Sequence, residues 1–169
     1  FIRRGEHEKA IASIGRGMTI MNEMGDEFGL ANAYNNLGIL RYNRGELDDA
    51  WANYSNALKI YERRKDLGGV ALLYNNMSLV RSARGDIGEG LEMLRRSLAI
   101  RRRLGDQTGI AMCLVNIGEM LGEMGNGEEA LVNYRINLEI VERINDWRGT
   151  ALACSNIGMQ LARKHDWCS

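Results

Sequence analysis

DEFGLANAYNNLG, residues 26–38, is the stretch that decides the fold, because the chain repeats it three more times at an offset of forty residues. The copies are DLGGVALLYNNMS (66–78), DQTGIAMCLVNIG (106–118) and DWRGTALACSNIG (146–158). In all four, the first, fourth, sixth and eleventh positions are aspartate, glycine, alanine and asparagine. A fixed period of this length indicates stacked supersecondary units rather than one central core.

The first half of each period has the apolar spacing of an α-helix, which we name helix A. After Asp26 the apolar residues follow the helical repeat, at Leu30, Ala33, Tyr34, Leu37 and Leu40. Asp26 is a good N-cap, because its carboxylate can accept from the free N–H groups of the first turn. Gly45 can adopt the left-handed conformation that ends a helix.

The second half, ELDDAWANYSNALKIYERR (46–64), predicts helix B, which folds back on helix A through a tight turn. One face of this helix carries its larger apolar residues, Leu47, Ala50, Trp51, Tyr54, Leu58 and Tyr61. The period predicts further helices A near 67–84, 107–124 and 147–164, and further helices B near 6–24, 87–104 and 127–144. No segment alternates like a strand, so the sequence predicts an all-α protein.

The segment ANAYNNLG (31–38), the turn Gly45, and then Ala50, Tyr54, Ala57 and Leu58 resemble the tetratricopeptide repeat. The resemblance covers essentially the whole chain and implies a right-handed α-solenoid, a superhelix of antiparallel helix pairs. The usual repeat has about 34 residues and commonly ends helix B with a proline. Here Glu62 and its equivalents occupy that place. This longer variant is similar to Leu-Gly-Asn repeat proteins, kinesin light chains and peptide-sensing bacterial regulators.

The repeat boundaries predict a single array over 1–169 that is a fragment of a longer protein. Its expected parts are helix B of a partial repeat (6–24), three full repeats (25–64, 65–104 and 105–144) and helix A of a truncated repeat (145–169). Each end would then expose apolar residues. We therefore expect head-to-tail self-association, in which residues 6–24 of one molecule cover the last helix A of another.

One stripe of the first helix A contains Asn32, Asn36, Ile39 and Asn43, because they are spaced four, seven and eleven residues from the first. In tetratricopeptide arrays this stripe lines the concave groove that holds an extended peptide, so the resemblance implies the same role here. The equivalent residues are Leu72, Asn76, Leu79 and Ala83, then Met112, Asn116, Glu119 and Glu123, then Leu152, Asn156, Met159 and Arg163. We add the neighbouring Asn35 and Asn75 to the predicted groove.

The asparagine column Asn36, Asn76, Asn116 and Asn156 has two interpretations. A carboxamide has a donor and an acceptor, so a row of them can bond the backbone of an extended ligand. Alternatively, each amide bonds a neighbouring helix and fixes the superhelix. Ligand specificity would then come from flanking residues, which are apolar at Leu72, Leu79, Met112 and Met159. Glu119 and Glu123 favour a basic or amide-rich ligand segment.

Charge argues against two classes of partner. Lysine plus arginine (22) equals aspartate plus glutamate (22), so the chain lacks the positive field typical of nucleic-acid binding. Its dense basic cluster is predicted to be a solvated face, and comprises Arg95, Arg96, Arg101, Arg102 and Arg103. Arg163 is the one basic residue on the stripe, which argues against a carboxylate clamp for acidic tails. Arg41 and Arg81 are expected to pair with local acids or to cover apolar surface, the alternative being that they reach the groove edge.

Cys113, Cys154 and Cys168 show no metal-ligand or disulfide spacing, and His7 and His165 lie far apart. These observations predict no metal, no cofactor and a reducing cytoplasm. No apolar run is long enough to span a membrane. The repeat and its resemblance to tetratricopeptide arrays predict a non-enzymatic scaffold that binds a protein or peptide. The alternative is a sensor arm of a larger signalling protein, such as a kinase, a cyclase or a nucleotide-dependent regulator.

Overall fold

The computed structural model describes the backbone of residues 2–166 and the side chains of residues 9–163. This part of the chain consists of eight α-helices without strands. They are α1 (Ile2–Glu23), α2 (Glu27–Asn43), α3 (Leu47–Arg63), α4 (Leu67–Ala83), α5 (Ile87–Leu104), α6 (Gln107–Glu123), α7 (Gly127–Arg143) and α8 (Trp147–Asp166).

The helices occur where the forty-residue period predicts them. Helices α2, α4, α6 and α8 are the predicted helices A, and α3, α5 and α7 are the predicted helices B. Helix α1 begins at Ile2 rather than at residue 6, because no proline or capping signal interrupts residues 2–6. The repeat boundaries themselves stay a prediction.

The aspartate column caps the four helices A, as predicted for Asp26. In each case one carboxylate oxygen accepts from the backbone N–H three residues later, at 2.9 to 3.0 Å. The capped N–H groups belong to glycines, and at Gly109 and Gly149 a Cβ would meet the cap carboxylate. Gly45 ends the first A–B turn with φ of 75°, which glycine adopts without steric strain.

The chain divides into two compact units, with the boundary between Gly85 and Asp86. In the first unit, α1 packs against α2, α2 against α3 and α3 against α4, and α2 also contacts α4. In the second unit, α5 packs against α6, α6 against α7 and α7 against α8. Because the turns inside each unit are only a few residues long, consecutive helices are antiparallel.

Small residues bring the helices close together. Ala31 on α2 and Ala50 on α3 are completely buried, and Gly38 lies against the ring of Tyr54. In the second unit Gly118 makes the same contact with Tyr134, where a Cβ would lie 2.5 Å from a ring carbon. The small size of Ala31 and Gly38 therefore allows the close approach of α2 to its neighbours.

Candidate functional site

In the first unit, asparagines from the predicted groove bond across neighbouring helices. Asn76 Nδ2 on α4 donates to Asn35 Oδ1 on α2 at 2.9 Å. Asn32 Oδ1 on α2 accepts from the hydroxyl of Tyr61 on α3 at 2.7 Å. At Asn76 the second interpretation of the column therefore applies, because the amide ties α4 to α2.

Asn35 and Asn75 do not lie on an open surface, which corrects their inclusion in the groove. Their exposed fractions are 7% and 3%. Each precedes a stripe residue by one position, and one residue is a rotation of about 100° around a helix. That rotation turns both side chains away from the predicted groove and toward the neighbouring helices.

The remaining predicted residues of the first unit are accessible to different extents. Asn36 and Asn43 are exposed, and Ile39 is 39% exposed. Leu72 and Leu79 are half-buried on α4. The first unit therefore presents an accessible surface of amides and aliphatic side chains on α2 and α4.

In the second unit, α6, α7 and α8 enclose a polar pocket of about 140 Å³. Five of its residues belong to the predicted stripe: Glu119 and Glu123 on α6, and Asn156, Met159 and Arg163 on α8. Gly122, Tyr134 and Gln160 complete the lining. The tertiary structure thus brings acidic and basic stripe residues of two helices to one cavity.

A second, largely apolar pocket of about 170 Å³ is formed by the first halves of α6 and α8 and the second half of α7. The stripe residues Met112 and Leu152 line it, with exposed fractions of 45% and 51%. The other lining residues are Thr108, Ala111, Val115, Asn137, Val141, Ile144, Asp146 and Gly149. Asn116 is half-buried on α6 and lines neither pocket.

Asn137 is a buried polar residue in the lining of the apolar pocket, which also includes Thr108 and Asp146. Its Nδ2 donates to the carbonyl oxygen of Ala111 at 2.9 Å, and this bond joins α7 to α6. The side chain is 2% exposed, and Oδ1 has no hydrogen-bond partner among the described residues. Asn137 Oδ1 is therefore a buried acceptor in the pocket lining that no described residue satisfies.

The electrostatics of the polar pocket are set by its two carboxylates. Partial burial, and then the neighbouring Glu123 carboxylate, raise the pKa of Glu119. Burial also raises the pKa of the Tyr134 hydroxyl, and the charge of Glu119 raises it further. Both shifts indicate a site where additional negative charge is unfavourable.

The arginines in the repeated columns have structural roles. Arg41 forms an ion pair with Glu46, and Arg81 lies over the ring of Trp51, 4.4 Å from its centroid. These contacts match the expectation that Arg41 pairs with a local acid and that Arg81 covers apolar surface.

Arg101 is buried, although the basic cluster to which it belongs was predicted to be a solvated face. It is 8% exposed and donates to Asp106 at 2.5 Å and to Ser97 at 3.4 Å. Burial is possible because Asp106, the cap of α6, supplies a carboxylate at the point where Arg101 leaves α5. Arg95, Arg96, Arg102 and Arg103 are exposed, as predicted.

Sequence reasoning missed Tyr134 and Gln160 as pocket residues. Tyr134 has the same apolar-face position as Tyr54, so the sequence predicts a core residue there. The sequence does distinguish Gln160, because it is polar whereas its equivalents Leu40, Val80 and Met120 are all apolar. Glu119 breaks an apolar column in the same way, among Ile39, Leu79 and Met159.

No group of three or more histidine, cysteine, aspartate or glutamate side chains between residues 9 and 163 is arranged to hold a metal ion. Cys113 is buried and Cys154 exposed, both as free thiols. Cys168 and the two histidine side chains lie outside the described residues. Within the described part, no helix combines the length and apolar character needed to cross a membrane.

The helix pairs, their capping aspartates and the small-residue contacts agree with a family model. The tetratricopeptide repeat model matches residues 29–103 and 69–135, which together exceed half of the chain. The chain belongs to the tetratricopeptide repeat family. Comparison of this tetratricopeptide chain with curated proteins gave no significant match.

Solved structures share the tetratricopeptide fold at low sequence identity. BtubC (BKLC) from P. vanneervenii is 20% identical with a TM-score of 0.85, over 97% of this chain and 68% of BtubC. The Rap conjugation gene regulator of plasmid pLS20, solved with the Phr* peptide, is 19% identical with a TM-score of 0.79, over 95% and 47%.

A signal transduction ATPase with numerous domains from Pyrococcus horikoshii carries a tetratricopeptide repeat sensor. It is 20% identical with a TM-score of 0.82, over 96% of this chain and 25% of the ATPase. The chain therefore spans less than half of the Rap regulator and a quarter of the ATPase. At these identities the likeness shows an all-α, solenoid-type repeat fold.

Proposed function

We propose that this tetratricopeptide chain binds an extended peptide or protein segment along the open side of its helices A. The observation that carries the proposal is the pair of pockets in the second unit. Seven residues of the predicted stripe line these pockets: Met112, Glu119, Glu123, Leu152, Asn156, Met159 and Arg163. A polar pocket beside an apolar one suits the alternating side chains of an extended segment.

The comparison with the Rap regulator supports the same role. That protein was solved with a peptide and shares the fold over 95% of this chain. In the first unit, Asn36 and Asn43 remain exposed on α2 and can offer amide groups to a ligand backbone. The proposed role is binding, and we assign no catalytic step to these residues.

The apolar pocket gives the first test. Aspartate at Met112 or Leu152 puts a charge into a pocket that would receive an apolar ligand side chain. We expect Met112→Asp and Leu152→Asp each to weaken binding by about tenfold or more, because burying one aliphatic side chain is worth about 1.5–3 kcal/mol. The measurement is the affinity for dodecapeptides selected from a random library on the unmodified chain.

Val132→Asp is the matched control for this test. Val132 is 55% exposed on α7 and lines neither pocket, so the same charge there should leave the affinity unchanged. Both pocket residues are about half exposed, so their variants should fold. Equal affinities for all three variants, or selected peptides that protect only α5 and α7 in amide exchange, would contradict binding on the helices A.

A second candidate function is that of a sensor segment within a larger signalling protein. It is favoured by the likeness to the tetratricopeptide sensor of the Pyrococcus horikoshii ATPase. The test is to determine the protein sequence encoded in the same reading frame on both sides of residues 1–169. A kinase, cyclase or nucleotide-binding domain in that frame would support the sensor role, and further repeats alone would favour the scaffold.

A further inference from the structure

The polar pocket of the second unit contains a buried amide that lacks a hydrogen-bond partner. Asn156 is 6% exposed, it lines the pocket, and its Nδ2 has no acceptor among the described residues. A buried donor without an acceptor is costly, so such groups are normally satisfied by protein or by a bound molecule. The pocket thus offers a donor to an incoming carbonyl oxygen.

Two carboxylates face the same cavity from α6. Glu119 and Glu123 are four residues apart and lie one above the other on the helix surface, where like charges repel each other. Among the described lining residues, Arg163 on α8 has a positive side chain and Glu119 and Glu123 have negative ones, so their summed formal charge is negative. A cation between the two carboxylates would relieve their repulsion.

The walls of the pocket set the shape of the group that fits. Gly122 precedes Glu123 on α6, and a Cβ there would lie 3.4 Å from Gln160 Oε1. Tyr134 and Met159 provide an aromatic and an aliphatic wall. A planar guanidinium can bond two carboxylates at once while its methylene chain packs on such walls, whereas an ammonium acts as a point charge.

We propose that this pocket is a subsite for an arginine side chain of the bound segment, with the guanidinium between Glu119 and Glu123. The backbone carbonyl of the same ligand residue accepts a hydrogen bond from Asn156 Nδ2. The inference rests on the proposed peptide-binding function and names one side chain that the ligand must carry.

The experiment titrates the isotope-labelled chain with the blocked tripeptide acetyl-Gly-Arg-Gly-amide and follows backbone amide chemical shifts. The citrulline tripeptide is the matched control, because it keeps the shape of arginine without its charge. We expect saturable shifts at Glu119, Gly122 and Gln160 with the arginine peptide. The double variant Glu119→Gln/Glu123→Gln should weaken that binding about tenfold or more, since hydrogen bonds to charged groups are the strong ones.

Asn156→Ala tests the amide separately from the charges. It removes the donor that the carbonyl would use, so the affinity for the arginine peptide should fall while thermal stability is unchanged or raised. Equal binding of the citrulline peptide, an unchanged affinity of the double variant, or shifts confined to the first unit would overturn the arginine subsite.

The two proposals fail in different ways. Selected dodecapeptides that bind the helices A and ignore Glu119→Gln/Glu123→Gln would overturn the arginine subsite and leave peptide binding intact. An arginine tripeptide that occupies the pocket, while no longer peptide binds the helices A, would support the subsite and overturn the proposed function.

Discussion

At the scale of single residues, the glycine column at Gly38, Gly118 and Gly158 combines two opposite environments. Gly38 and Gly118 lie against the rings of Tyr54 and Tyr134, so a methyl group there would displace a buried ring. At Gly158 a methyl group would meet no atom of the described residues within 4 Å, the backbone of its own helix aside. The same residue type therefore serves close packing at two positions, whereas at the third no described residue packs against it.

This difference predicts opposite effects of one substitution. In Gly38→Ala, overpacking should lower the free energy of unfolding by about 1–3 kcal/mol. The higher helix propensity of alanine offsets about 1 kcal/mol of this loss. Gly158→Ala, the matched control in the same column, should be neutral or stabilising by up to about 1 kcal/mol. Urea unfolding measures both, and a stability loss at Gly158 as large as that at Gly38 would contradict the packing explanation.

The pKa of Glu119 gives a second residue-scale prediction. Because folding raises this pKa, the neutral carboxyl is the form that folding favours. Its contribution is complete below the ordinary pKa of about 4.3 and is lost as the pH rises through the higher folded value. Glu119→Gln should therefore stabilise the chain at pH 7 by less than about 1 kcal/mol, since the side chain is only partly buried and solvent screens its charge.

The measurement is urea unfolding of both proteins at pH 7 and below pH 4, where the difference should disappear. Glu139→Gln removes one carboxylate from α7 away from both pockets and controls for net charge. A stabilisation by Glu119→Gln that is the same at both pH values would contradict the titration explanation.

At the scale of helices, the aspartates of the repeated column form different numbers of contacts in different repeats. Asp66 accepts the Gly69 N–H at 2.9 Å and thereby caps α4. Asp106 caps α6 in the same way, and its second oxygen accepts from Arg101. One carboxylate therefore fixes both the end of α5 and the start of α6, and keeps a buried guanidinium paired.

We expect Asp66→Ala to cost about 1 kcal/mol, the usual value of an N-cap. Asp106→Ala should cost about 2 kcal/mol more, because it also leaves the charge of Arg101 buried without its main partner. Chemical unfolding of the two variants compares them directly. Equal losses at Asp66 and Asp106 would mean that the ion pair adds no stability.

At the scale of the whole molecule, both terminal helices carry exposed apolar side chains. Ile20 and Met24 at the end of α1 are 56% and 77% exposed, and Trp147 and Leu161 on α8 are 71% and 37% exposed. Apolar surface of this kind is a candidate for contacts between copies. The head-to-tail association of α1 with α8 stays a prediction from the repeat pattern.

This association predicts sedimentation that depends on protein concentration. Met24→Ser and Trp147→Ser should each weaken it about tenfold or more, because each removes a large apolar side chain from the contact. Val132→Ser, a comparably exposed position on α7, should leave it unchanged. A single sedimenting species at all concentrations would rule the association out.

The sequence by itself determined where the helices lie, their order and the family, because these depend on local signals that recur every forty residues. Helical spacing, the capping aspartates and the turn glycines act within one helix or one turn, so the chain order reveals them directly. The stripe also placed Glu119, Glu123 and Met159 on one side of their helices.

Only the tertiary structure decided which polar side chains form hydrogen bonds or ion pairs inside the fold and which face a cavity. Asn35, Asn76 and Arg101 bond neighbouring helices, whereas Asn156 meets Glu119 and Tyr134 around one pocket. The physical reason is that the helical period gives only the direction in which a side chain points around the axis of its own helix. Whether that direction ends in water, in a cavity or at another side chain depends on the helices packed against it.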